Sequence, residues 1–136
     1  MPRIIAIDYG SKRTGLAWTD PLQIIATGIG SFDTVQLEAK IADLFAREEI
    51  SEIVLGFPTR TDGTDTNATE GVRKLGEQLA KKYPQAKLHY WDERFTSKMA
   101  FQTMIDAGLN RKKRRDKHLV NQISATIILQ EFLQNR

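Results

Sequence analysis

The first apolar run of this chain, Ile4-Ile5-Ala6-Ile7, ends on an acid, Asp8. Four consecutive apolar residues read as a buried strand. An ionised carboxylate on such a strand is costly to hold unless it is paired or bound to a metal. A second acid stands in a similar place, Glu93, after the strand-like Leu88-His89-Tyr90-Trp91. Two carboxylates closing two core strands suggest a metal site on a rigid sheet. The competing readings are an Asp8 that caps its own turn and a Glu93 that pairs with Arg94 at the surface. Asp92 and Glu93 are neighbours on a pleated strand, so they point to opposite faces and at most one shares a site with Asp8. Glu93 is the expected partner, and Asp92 the structural residue.

The rest of the patterning predicts strands at Ile4 to Tyr9, Thr14 to Thr19 and Ile24 to Phe32, with a turn at Gly10-Ser11-Lys12-Arg13. Gly28 and Gly30 in the third strand suggest an edge or a close backbone approach. Asp33 with Gln36 resembles a capping box, followed by a helical face of Leu37, Ile41, Leu44 and Phe45. A strand over Ser51 to Gly56, a polar loop over Pro58 to Thr66 and a second helix follow. Asn67 with Glu70 caps that helix, Ala68, Val72, Leu75 and Leu79 line it, and Pro84 ends it. Lys87 to Trp91 is the last strand. A helix capped by Thr96 or Ser97 and stopped by Gly108, then a final helix over Leu119 to Asn135, complete the chain. Three leading strands followed by αβαβ units predict an α/β fold, a mixed sheet flanked by helices in one domain over residues 1–136. Such sheets place ligands beyond the carboxyl ends of their strands, where Asp8 and Glu93 both stand.

Charge is distributed unevenly. The net charge is +3, yet residues 111–117 alone hold six cations and one acid, which leaves the remainder net negative. A cluster of this kind contacts phosphates or stays a solvated charge run. The absence of cysteine excludes disulfides, zinc-thiolate sites and thiol nucleophiles. No apolar run nears the roughly 18 residues of a membrane helix, and Asp8 interrupts any signal-peptide layout. The expected location is the cytoplasm, with no membrane partner.

Other motifs carry less. Gly10 to Gly15 does not match a phosphate-binding P-loop, because Leu16 occupies the lysine position and the segment leads into a strand. In the loop after Gly56, Asp62-Gly63 is a turn signal, and Arg60 with Thr61 is a candidate phosphate contact. Both readings of that loop stay open. His89 and His118 are too isolated for a zinc site, Trp18 and Trp91 are expected in the core, and Ser11 and Thr96 lack a histidine base.

Taken together, four stretches resemble the YqgF family, described as pre-16S ribosomal RNA nucleases and as Holliday-junction-resolvase-like proteins. They are Ala6-Ile7-Asp8-Tyr9-Gly10 with Thr14-Gly15; Leu55-Gly56-Phe57-Pro58 with Asp62-Gly63-Thr64; Asp92-Glu93-Arg94-Phe95-Thr96-Ser97; and Ser124-Ala125-Thr126-Ile127-Ile128-Leu129. The resemblance spans essentially the whole chain. It implies a ribonuclease H-like mixed five-stranded sheet with helices on both faces, a cytoplasmic location, and a role in maturing the 5′ end of small-subunit ribosomal RNA. By that resemblance the catalytic set falls on Asp8, Glu93 and position 121. The family's third acid is expected in a Val-Asp stretch, which here reads Val120-Asn121.

Asn121 offers a carbonyl oxygen without charge. Asp116, five residues upstream, lies about 140° away around a continuous helix and replaces the ligand only from a loop. Three outcomes are open: a weakened metal site, a site completed by Asp116, or an RNA-binding assembly factor that no longer cuts. The leading expectation is a Mg²⁺- or Mn²⁺-dependent phosphodiesterase acting on structured RNA, with Asp8, Glu93 and Asp116 as metal ligands. Lys12, Arg13, Arg60, Arg94, Arg111, Lys112, Lys113, Arg114, Arg115 and Lys117 are the expected nucleic-acid contacts. The alternative substrate is branched DNA, cut by a symmetric dimer, and the oligomeric state stays open between monomer and homodimer.

Overall fold

In a computed structural model of the chain, residues 2–57, 67–92 and 117–136 are described. The loop bearing Arg60, Thr61 and Asp62, the acid Glu93 with Arg94, the helix expected after Thr96, and the segment from Arg111 to Asp116 lie outside the described residues. So do the side chains of Lys117 and His118.

The elements in chain order are β1 (Arg3–Asp8), β2 (Arg13–Thr19), β3 (Ala26–Asp33), a 3₁₀ turn (Thr34–Gln36), α1 (Leu37–Arg47), β4 (Ile50–Phe57), α2 (Asn67–Lys82), β5 (Lys87–Asp92) and α3 (Lys117–Asn135). They form a five-stranded sheet in the order β3-β2-β1-β4-β5. β1 runs antiparallel to β2 and parallel to β4, β2 runs antiparallel to β3, and β4 runs parallel to β5. The sheet is therefore mixed, as its patterning predicts.

β1 is central, which explains its unbroken apolar run. Ile5 and Ile7 pack with Leu37, Ile41 and Leu44 of α1 and Val72 and Leu79 of α2. Ile4 and Ala6 point the other way, against Ala125, Ile128 and Leu129 of α3. A strand covered on both faces has no reason to alternate in polarity. Each isoleucine so buried contributes about 1.5–3 kcal/mol. Small residues at Ser124 and Ala125 let α3 close on the sheet, and both are buried. Helices thus cover both faces.

Three local expectations are corrected. β3 begins at Ala26 rather than Ile24. The cause is Asp20, whose carboxylate accepts the amides of Leu22, Ile24 and Ile25 at 3.1, 2.9 and 2.7 Å. The turn leaves Leu22, Ile24 and Ile25 exposed, so apolar residues that read as strand lie outside the ladder. The Asp33 capping box does not form: Asp33 makes no side-chain cap bond and stays in β3, paired with Arg13. Trp18 and Trp91 border the core rather than fill it. Trp18 lies under the Arg3 guanidinium at 4.1 Å, and the Trp91 indole N–H donates to Glu131 at 2.9 Å.

The Asp20 turn predicts a pH signature. The Ile25 amide above all, with the Ile24 and Leu22 amides, holds the Asp20 carboxyl below its ordinary value. A depressed folded value means stabilisation that is complete above the unfolded value of about 3.9 and is lost as pH falls through the lower folded value. Asp20→Asn is expected to melt earlier than the parent at pH 7, and the gap is expected to close in strong acid. Thermal melts at several pH values between 7 and 2 check this; a gap independent of pH would contradict it.

Candidate functional site

One rim of the sheet collects the residues that matter. Because β1, β4 and β5 are parallel, their carboxyl ends share that rim. β2 starts there and β3 ends there, as the Arg13–Asp33 pairing shows. Asp8 is the last residue of β1 and is half-buried. It has the parity of Ile4 and Ala6, so it belongs to the face that α3 covers.

The residue opposite Asp8 across the β1–β2 ladder is Gly15. A β-carbon on Gly15 would overlap the backbone carbonyl of Asn121 and stand 2.9 Å from the Gln122 nitrogen. The second turn of α3 therefore rests directly on the rung that carries Asp8. Of the expected catalytic positions, the structure brings Asp8 and the Asn121 backbone into one neighbourhood, although 112 intervening residues separate them. The first turn of α3, with amides that lack intrahelical acceptors, begins at this same rim.

Asp92 shares the parity of Leu88, which packs with the α1/α2 cluster, and of Tyr90, whose hydroxyl lies against Gly76 of α2. It thus belongs to the face away from Asp8. His89 sits farther down β5, hydrogen-bonded to Glu52 at 2.8 Å and tilted against Phe132 with ring centroids 4.8 Å apart. Among the described residues no three His, Asp or Glu side chains converge to hold a metal.

Lys12 is exposed on the turn between β1 and β2, and Arg13 opens β2. A residue with no motif to flag it, Thr34, secures that turn. Its hydroxyl donates to the Gly10 carbonyl at 2.6 Å and lies 2.8 Å from the Thr14 hydroxyl; its amide donates to the Lys12 carbonyl at 2.8 Å. The only signal in the sequence is a threonine in the segment leading to α1, which has many ordinary explanations. No helix among the described residues is long and apolar enough to cross a membrane.

Several known proteins similar to this chain are named as nucleases or resolvases. The family described as "RuvX: Holliday junction resolvase" matches residues 2–135. A Flavobacterium psychrophilum protein named "Putative pre-16S rRNA nuclease" is 45% identical over 136 residues, covering 100% of this chain and 99% of its own length. A protein of the same name from Christiangramia forsetii is 47% identical over 133 residues, covering 98% of both. Among solved structures, T. thermophilus RuvC in complex with a Holliday junction substrate superposes with a TM-score of 0.57 at 14% identity, covering 100% of this chain and 96% of that one. The fowlpox virus Holliday junction resolvase gives 0.58 at 11% identity, covering 98% of both. At such identities these two likenesses show the fold alone, a ribonuclease H-like sheet. The matches along the full length show more: the chain belongs to the RuvX/YqgF family.

Proposed function

We propose that this protein is a nuclease that hydrolyses phosphodiester bonds in RNA, acting in the cytoplasm on the 5′ end of pre-16S ribosomal RNA and depending on Mg²⁺ or Mn²⁺. The observation that carries this reading is the position of Asp8. Its carboxylate stands at the carboxyl end of the central strand, on the face where the start of α3 meets the sheet. The names of the full-length relatives supply the substrate. Residues 1–136 would act as one ribonuclease H-like unit.

The donor set fits a hard divalent cation. Asp8 and Glu93 would hold it through carboxylate oxygens. The shell would be completed by the Asn121 side-chain oxygen or by Asp116. Such an ion supplies an activated water and offsets charge on the scissile phosphate. The chain's own cations would orient the strand: Lys12 and Arg13 at the rim, with Arg60, Arg94, Arg111, Lys112, Lys113, Arg114, Arg115 and Lys117 extending the contact. Affinity is then expected to fall steeply with salt, by roughly 0.7–0.9 in log–log slope for each phosphate neutralised. Titrating Mn²⁺ while following cleavage of a pre-16S fragment tests the proposal; no cleavage at any Mn²⁺ concentration would defeat it.

Asn121 makes a separate prediction. Asn121→Asp adds a carboxylate to the turn of α3 that rests on the Asp8–Gly15 rung, and ligand charge count tunes divalent affinity. The variant is expected to bind Mn²⁺ roughly tenfold more tightly, about 1.4 kcal/mol, and to reach half-maximal cleavage at lower metal. Calorimetric titration of Mn²⁺ checks this; unchanged affinity would mean the side chain is not a ligand.

The family description favours a second reading, branched DNA as substrate. It requires two strands cut by a symmetric dimer, so a strictly monomeric protein that cuts RNA would exclude it.

A further inference from the structure

We infer that Thr34 is a positioning residue, holding the Gly10–Lys12 turn in the conformation that presents the Ser11 amide and the Lys12 ammonium to a phosphate of the nucleic acid. The inference rests on the nuclease reading and assigns one part of its phosphate contact.

The geometry is specific. Thr34 spends its hydroxyl on the Gly10 carbonyl and its amide on the Lys12 carbonyl, so two carbonyls of one short turn point inward at one residue. In a trans peptide the C=O and the following N–H point in opposite directions, and the described residues contain no cis peptide. Fixing the Gly10 carbonyl on Thr34 therefore aims the Ser11 N–H away from it. Ser11 and Lys12 are both exposed. An amide turned away from this clamp, beside a lysine on an exposed turn, is a combination that contacts phosphate oxygens.

The clamp is itself anchored. Since the Thr34 hydroxyl gives its proton to Gly10, the Thr14 hydroxyl donates to Thr34, and Thr14 is fully buried in β2. Hydrogen bonds in such a chain polarise one another. Gly10 is required for the same turn, because a β-carbon there would overlap the Arg13 carbonyl oxygen. The turn begins two residues after Asp8, so a phosphate held by it lies close to the rim carboxylate. Thr34 touches neither reacting atoms nor substrate; it acts through the turn.

Thr34→Val keeps the shape and removes the hydroxyl, whereas Thr34→Ser keeps the hydroxyl. Binding of a fluorescent pre-16S fragment by anisotropy, together with kcat and KM, is measured for both, for Lys12→Ala, and for the Lys12→Ala/Thr34→Val double variant. Thermal melts establish that each is folded. The expected result is a roughly fivefold rise in Kd and KM for Thr34→Val, with kcat within about twofold of the parent and a lower salt slope. Thr34→Ser is expected to behave as the parent. In the Lys12→Ala background the valine is expected to add little, because both changes act on one contact. Parent-like binding by Thr34→Val, or an undiminished effect in the Lys12→Ala background, would overturn the inference. A parent protein that binds the fragment without cutting it overturns the nuclease reading, while the binding comparison still decides Thr34. A parent that binds no nucleic acid overturns both.

Discussion

Asp8→Asn is expected to remove metal-dependent cleavage, lowering kcat by on the order of 10³-fold or more while leaving the fold in place. Metal-held charge stabilisation is worth several kcal/mol of barrier, and each 1.36 kcal/mol is tenfold in rate. Asparagine keeps the size and one oxygen of aspartate but gives up the charge that draws a divalent cation to the rim. The effect on stability is expected to be small and of either sign. Asp8 is half-buried at the end of β1 rather than within it, so the sheet loses no packing, and the cost of desolvating a carboxylate is relieved. A melting temperature within a few degrees of the parent, with Mn²⁺-dependent cleavage of a pre-16S fragment abolished, is the anticipated pair of results. Equal cleavage by the two proteins would end the metal-site reading at Asp8, whatever else the protein does.

The contrast between Asp8 and its surroundings explains what the amino-acid sequence discloses. Asp8 is conspicuous because the anomaly is local: four apolar residues in succession, then an acid, at the end of a strand. The same locality makes β1 and α1 readable. Ile4 to Ile7 lack alternation because α1 and α2 cover one face and α3 the other. Leu37, Ile41 and Leu44 recur at helical spacing and are buried as that spacing requires. Where the outcome depends on a remote or competing partner, the pattern misleads. Ile24 and Ile25 are apolar and β-branched, yet the Asp20 carboxylate fixes their amides in a turn before β3 can begin. Asp33 and Gln36 have capping-box spacing, but the ladder with Arg13 holds Asp33 in an extended strand. The clamp at Thr34 joins Gly10, Lys12 and Thr14 across a gap of 20 or more residues in the sequence, and no periodicity encodes it.

Gly15→Ala is expected to be the most damaging single-atom addition on the α3 face, costing about 3 kcal/mol and about 10 °C in melting temperature. A β-carbon at Gly15 meets the carbonyl of Asn121 and the nitrogen of Gln122, which are backbone atoms of a helix packed along β1, β2 and β3. Neither partner can rotate away. Relief requires lifting the start of α3, and that opens contacts around Ser124 and Ala125, both buried against the sheet. The same movement separates the Asn121 backbone from the Asp8 rung, so cleavage is expected to fall further than the loss of folded protein accounts for. Gly28→Ala supplies the comparison on the same face. Its β-carbon would meet the Gln122 side chain at 2.7 and 2.8 Å and the Thr126 hydroxyl at 3.1 Å, and a glutamine side chain can swing aside. It is expected to cost no more than about 1 kcal/mol, within the usual range for point changes. Thermal melts of the two variants, with cleavage rates normalised to folded protein, test the idea. Equal destabilisation at the two sites would show that the start of α3 yields readily, and that the Asp8–Gly15 rung does not set where Asn121 lies.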